Sequence, residues 1–130
     1  MRSELRLLLA LTAMAALIAG QDVISPGTYK GSYAGGAGSG DFHIALKVDG
    51  SSGMSATVGF TIMGEEVPAK ITSLKVSGAK IEISYDFELQ GAKLTSAADG
   101  VIKGKTIEGQ YTTSAEGQAV DQGTWKATLQ

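Results

Sequence analysis

The feature that most constrains this chain is a strict alternation of apolar and polar residues. It runs over Phe42–Val48, Met54–Ile62 and Ile81–Leu89, where every second residue is apolar. A two-residue period places alternate side chains on opposite faces of an extended strand, and it cannot build the apolar stripe of a helix. No segment after residue 20 carries a stripe of helical period. The chain beyond residue 20 is therefore predicted to be all-β.

Glycines divide the alternating segments at regular intervals, and Gly78, Gly91, Gly104 and Gly117 lie thirteen residues apart. Strands of about ten residues joined by short turns are typical of a meander, in which each strand pairs with the next. Strands of similar length without a long crossover connection favour a closed up-and-down barrel over a sandwich, because closure removes exposed strand edges. We predict eight antiparallel strands, at residues 27–35, 40–49, 54–63, 66–77, 79–89, 92–103, 105–114 and 121–129.

Three local features qualify this strand assignment. The alternation slips by one residue between Ile71 and Leu74, which predicts a β-bulge near Thr72. The dipeptide Asp99-Gly100 is a hairpin-turn signal that would end the sixth strand early. Pro68 has no backbone N–H, so it requires a strand start, a strand edge or a bulge.

The first twenty residues have the pattern of a secretory signal peptide. Arg2 and Arg6 precede the run Leu7–Ala19, which is apolar except for Thr12. A basic start followed by an apolar core of this length is typical of an export signal and is too short to span a bilayer comfortably. We predict cleavage between Gly20 and Gln21, export to the periplasm or the medium, and one barrel domain over residues 21–130.

Composition excludes several classes of function. Residues 21–130 carry nine lysines and twelve carboxylates, so the net charge gives no indication of a nucleic-acid partner, and a membrane partner is not expected. The chain has no cysteine and a single histidine, which excludes disulfides, thiolate sites and histidine clusters for zinc. The turn Asp49–Gly53 offers too few oxygen ligands for calcium. No cofactor or metal is expected.

Residues for catalysis are also scarce, so the chain is predicted to be non-enzymatic. His43 alternates with Phe42 and Ile44, which places it on the outer surface if the apolar face points inward. The chain contains no Gly-x-Ser-x-Gly nucleophile motif and no strand–helix unit to support one.

Three segments carry a resemblance to a known group of proteins: Gly27–Tyr33, Gly100–Tyr111 and Gly123–Leu129, in which glycines alternate with aromatic and β-branched residues. Over residues 27–129 the chain resembles uncharacterised secreted bacterial β-barrel domains that occur alone or ahead of α/β-hydrolase domains. More distantly it resembles avidin and the lipocalin-like barrels. The resemblance implies a barrel fold and export, with no established activity and no catalytic residues. The chain has one tryptophan and no asparagine, which argues against an avidin-type biotin site.

Large side chains share a strand face with glycine or alanine, as Tyr29 and Tyr33 do with Gly31. This spacing lets rings lie over bare backbone and fill a strongly curved sheet. An eight-stranded barrel is either filled by side chains or holds one small ligand. Our interpretation is a binding site for a small apolar molecule; the alternatives are a solid structural or protein-interaction module and a small outer-membrane barrel with its apolar face in lipid. The candidate ligand-binding residues are Tyr29, Tyr33, Phe42, Tyr85, Tyr111 and Trp125.

The segment Ala34–Gly40 is the most glycine-rich in the chain. We expect it to form a mobile loop between the first two strands, with Tyr33 and Phe42 at the adjoining strand ends. A ligand is predicted to enter beside it.

Overall fold

The computed structural model describes residues 22–50 and 53–130 and has the predicted all-β fold. The predicted signal peptide, residues 1–20, and its cleavage point lie outside these described residues. No helix in the described part of the chain is long and apolar enough to cross a bilayer. The eight strands are β1 (Gly27–Gly35), β2 (Gly38–Asp49), β3 (Gly53–Ile62), β4 (Glu65–Ser77), β5 (Lys80–Leu89), β6 (Ala92–Lys103), β7 (Thr106–Ala115) and β8 (Gln118–Leu129).

The strands form a closed barrel in which each pairs with its neighbours in sequence. The barrel closes between β1 and β8, whose antiparallel register runs from Tyr29 opposite Leu129 to Gly35 opposite Gly123. This confirms the predicted up-and-down meander.

Strand β4 changes its pairing partner along its length. Residues 65–69 pair with β3, and residues 70–77 pair with β5. The register shifts between Ile71 and Ser73, as expected for the predicted bulge at Thr72. Pro68 lies in the part of β4 that pairs only with β3, so its missing N–H falls at a strand edge, as predicted.

Two strand starts differ from the sequence prediction by more than one residue. Strands β2 and β8 begin at Gly38 and Gln118, two and three residues before their predicted starts. A register shift between Thr113 and Ser114 lets β8 stay paired with β7 over residues that show no apolar alternation. The predicted sixth strand over residues 92–103 is confirmed, and the alternative turn at Asp99-Gly100 does not form: Gly100 continues β6 and pairs with Ile81 on one side and Gly109 on the other.

The apolar face of every strand points into the barrel. The buried core contains Phe42, Ile44, Ile83 and Ile107, while the residues that alternate with them face outward. This is the reverse of a transmembrane barrel, whose apolar face is outside.

The two ends of the barrel differ. The turns after β1, β3, β5 and β7 lie at one end, here called the mouth, because alternate turns of a meander share an end. The segment before β1 lies across the other, closed end. Ile24 is buried there and donates its N–H to the Gly78 carbonyl at 3.0 Å, while Asp22 accepts the Gly104 N–H at 3.1 Å. The closed end is therefore filled by the protein's own chain.

Candidate functional site

The mouth half of the barrel contains a cavity of about 480 Å³. Small-molecule sites commonly have volumes of about 300–1,000 Å³, so this cavity can hold one compact ligand. Ala37, Met63 and Val120 lie at its rim, in or beside the turns of the mouth. Seven aromatic residues line it: Tyr33, Phe42, Phe60, Tyr85, Phe87, Tyr111 and Trp125.

These aromatic rings hold one another in place. Phe60 packs edge-to-face on Phe87, with ring centroids 4.8 Å apart, and on Tyr33, with centroids 6.0 Å apart. Phe42, the cross-strand partner of Phe60, packs on Trp125, with ring centroids 5.1 Å apart. Aromatic pairs in such geometries contribute about 0.5–1.5 kcal/mol each beyond their buried area. The cavity wall is therefore preformed by contacts within the protein.

Trp125 is positioned by two glycines on the neighbouring strands. In register, Trp125 lies opposite Gly109 of β7, which in turn lies opposite Gly100 of β6. A Cβ at Gly100 would lie 2.8 Å from Cζ2 of Trp125, so the indole covers bare backbone at this point. Its Nε1–H donates to the Asp99 carbonyl at 3.1 Å. This is the aromatic-over-glycine packing that the sequence predicts.

One side of the cavity is polar. Tyr85, Ser96, Thr113 and Asp121 are consecutive cross-strand partners on β5, β6, β7 and β8. The hydroxyls of Ser96 and Thr113 are buried and lie 2.6 Å apart, so they hydrogen-bond to each other. Burial raises the pKa of Tyr85 to about 12, an increase that the neighbouring Ser96 side chain opposes. The side chain of Tyr85 is therefore neutral at physiological pH.

Asp121 links two residues near the mouth by hydrogen bonds. Its Oδ2 accepts the Tyr111 hydroxyl at 3.0 Å, and its Oδ1 accepts the N–H of Ala37, in the β1–β2 turn, at 2.9 Å. Burial, together with the Asp121 carboxylate, raises the pKa of Tyr111. On β1, the neighbour of β8, the Tyr33 hydroxyl donates to the Thr61 carbonyl at 2.6 Å. These bonds fix the orientation of the two tyrosines that flank the opening.

Five of the six candidate residues from the sequence lie together in the cavity wall: Tyr33, Phe42, Tyr85, Tyr111 and Trp125. Tyr29 does not line it. Tyr29 is 0% exposed and lies toward the closed end, where its hydroxyl donates to the Ser25 carbonyl at 2.8 Å. It shares a strand face with Tyr33, but it lies four positions earlier on β1, in the other half of the barrel. A period of two identifies the face and leaves the height along the barrel open.

The predicted loop over residues 34–40 is wrong in extent. Strands β1 and β2 pair up to Gly35 opposite Gly38, which leaves a turn of two residues. The glycines permit close packing: a Cβ at Gly35 would overlap the Tyr111 hydroxyl, and a Cβ at Gly40 would overlap the Thr61 carbonyl. The turn is also bonded to β8, since the Gly36 N–H donates to the Gln122 carbonyl at 3.2 Å.

Among the wall residues absent from the sequence prediction, five are aromatic or belong to the polar side of the cavity. Phe60 and Phe87 were recognised as inward-facing strand residues without being assigned to the site. The other three are polar, and each lies an even number of residues from an inward-facing residue of its own strand, which places it on the inner face. Ser96 lies two residues before Ala98, Thr113 two after Tyr111 and Asp121 four before Trp125. That spacing was the available signal. These five residues are Phe60, Phe87, Ser96, Thr113 and Asp121.

His43 lies on the outer surface, away from the cavity. Its side chain is 40% exposed, and its Nε2 is 3.7 Å from Oε2 of Glu66 on β4. Among residues 22–50 and 53–130, no three histidine, aspartate or glutamate side chains come together as a metal site would require.

Comparisons with known proteins found no similar protein. No protein-family model matches the chain, and searches of curated proteins and of solved structures found no match either. The geometry of the barrel is thus the basis for assigning a function.

Proposed function

We propose that this protein is an exported, non-enzymatic binding module that holds a small, mainly apolar molecule in the mouth half of its barrel. The observation that carries the proposal is the aromatic cavity of about 480 Å³. A void of that size inside a packed domain forfeits van der Waals contacts, and a ligand restores them. Export rests on the pattern of residues 1–20, and the kinship with secreted bacterial barrels rests on the glycine and aromatic spacing of the strands.

Two alternatives fit the molecule less well. A solid structural or protein-interaction module needs a filled barrel, and side chains fill only the closed half. An outer-membrane barrel needs an apolar outer face, whereas apolar residues such as Ile44 and Ile83 are buried inside. An apolar cavity with a few placed hydroxyls fits a carrier or sensor of small molecules.

The test is a fluorescence titration with N-phenyl-1-naphthylamine, an uncharged aromatic probe that brightens in apolar surroundings. The informative variant is Ala98→Phe, because Ala98 lines the cavity and a phenyl ring there occupies its space. The matched control is Ala97→Phe, the same change one residue away on the outer face of β6, where Ala97 is exposed.

We expect saturable binding to the wild type and to Ala97→Phe, and affinity lower by about tenfold or more in Ala98→Phe, a difference of at least ~1.4 kcal/mol. Circular dichroism establishes that both variants are folded. Equal binding by the two variants, or no binding by the wild type, would reject a ligand site inside the barrel.

A further inference from the structure

We propose, building on the function above, that the ligand is an amphiphile with a cationic amine head, which Asp121 receives at the mouth. The apolar body of the ligand would lie among the aromatic rings below. The barrel would then prefer amines over alcohols and carboxylates of the same size.

Asp121 is the only charged side chain on the cavity wall within the described part of the chain, and no lysine, arginine or histidine lines it. Each of its oxygens already accepts one hydrogen bond, from Ala37 or from Tyr111. A carboxylate has about four acceptor positions, so these contacts orient the group and leave room for a donor from a ligand. Because both protein bonds hold it in place, Asp121 is preorganised for that donor.

The mouth as a whole is acidic. We count the charged residues in the mouth turns and within four residues on either side of them. This part of the chain has seven carboxylates and a single lysine, Lys93. Seven of the nine lysines lie instead at the opposite end of the barrel, within four residues of its turns and strand ends. An opening rimmed by one sign of charge attracts ligands of the opposite sign and raises their local concentration. The seven carboxylates belong to Asp41, Glu65, Glu66, Asp86, Glu88, Glu116 and Asp121.

The rings near Asp121 add to this preference. Tyr33 and Tyr111 meet edge-to-face, with centroids 5.9 Å apart, beside the Asp121 carboxylate. The face of an aromatic ring attracts a cation electrostatically when the cation lies within about 6 Å of the ring centre. A carboxylate head in the same place would meet Asp121 without a compensating cation, and like charges at close range repel.

The experiment uses three probes of one shape: 2-naphthylmethylamine, 2-naphthylmethanol and 2-naphthoate. Their affinities for the mature protein are measured by calorimetry at pH 7 in low salt. The informative variant is Asp121→Asn, which keeps the shape and removes the charge. The control is Glu88→Gln, which removes one charge from the mouth at an exposed position outside the cavity.

We expect the amine to bind at least about tenfold tighter than the alcohol, with the naphthoate weakest, since a hydrogen bond to a charged group exceeds a neutral one. Asp121→Asn should abolish the advantage of the amine over the alcohol, and Glu88→Gln should retain it. If the alcohol binds while the amine has no advantage, or if Asp121→Asn preserves that advantage, the charge preference is refuted and the carrier function stands. If none of the three probes binds the wild type, both proposals fall.

Discussion

Replacement of Gly100 by alanine tests how the barrel positions Trp125. The added Cβ would lie 2.8 Å from Cζ2 of Trp125 and 2.8 Å from Cγ2 of Ile107, closer than ordinary van der Waals contact allows. The φ angle of Gly100 is not in the left-handed region, so alanine itself is compatible with the backbone. Any loss of stability therefore comes from close contacts of the added Cβ, with these two side chains and with the Glu108 carbonyl oxygen at 3.2 Å.

Overpacking of this kind costs about 1–3 kcal/mol, and the entropy that alanine saves in the unfolded chain returns about 0.4–1 kcal/mol. We expect Gly100→Ala to lower the free energy of unfolding by about 1–2 kcal/mol. Gly36→Ala is the control, because a Cβ there meets only Oδ1 of Asp121, at 3.7 Å. It should be neutral or slightly stabilising.

The assay is urea unfolding of four proteins: the wild type, Gly100→Ala, Trp125→Phe and the double variant. Trp125→Phe alone removes the bond to the Asp99 carbonyl and part of the packing, while it also clears space above Gly100. The double variant should thus be more stable than the sum of the single effects by about 1 kcal/mol, within the range of coupled neighbours. Additive effects, or a Gly100→Ala protein as stable as the wild type, would refute this packing.

Three further predictions concern orientation, pH and export. Phe87→Ala should cost about 3–5 kcal/mol as a buried aromatic, and Glu82→Ala no more than about 0.5 kcal/mol as a surface change, both by urea unfolding. Burial raises the pKa of Tyr85 from 10.0 to about 12, so the unfolded chain loses this proton at a lower pH than the folded protein does. The free energy of unfolding should therefore fall as pH rises from 10 towards 12, by up to ~1.4 kcal/mol per pH unit. Tyr85→Phe should flatten that fall in unfolding curves measured at alkaline pH. N-terminal sequencing of the exported protein should begin at or within a few residues of Gln21, and an intact Met1 would contradict cleavage.

The strand pattern of this barrel could be predicted because burial on one face enforces a period of two. Phe42, Ile44 and Leu46 are all inward and buried, as their alternation indicates. Closure followed from even strand lengths and short turns. The extra residues at the start of β8 could not be foreseen, because Gln118 to Val120 are exposed and the β7 partner shifts its register there.

The site was only partly predictable, since it depends on height along the barrel as well as on face. Tyr29 and Tyr33 have identical patterns in sequence, yet only Tyr33 reaches the cavity. Glycine permits both a flexible backbone and close packing against other residues, so sequence alone does not distinguish the two in the glycine-rich turn. In the structure, Gly35 and Gly40 permit close packing. Asp121 was overlooked because a carboxylate within a barrel needs partners from other strands, and those partners are distant in sequence.

Native mass spectrometry of the mature protein purified from its own host is the most direct test of the central claim, that the mouth half of the barrel binds a small molecule. We predict a species heavier than the bare chain by the mass of one small molecule, present in the wild type and in Ala97→Phe and lost in Ala98→Phe. Detection of the bare chain alone in all three proteins, with no binding of the uncharged probe, would contradict the claim.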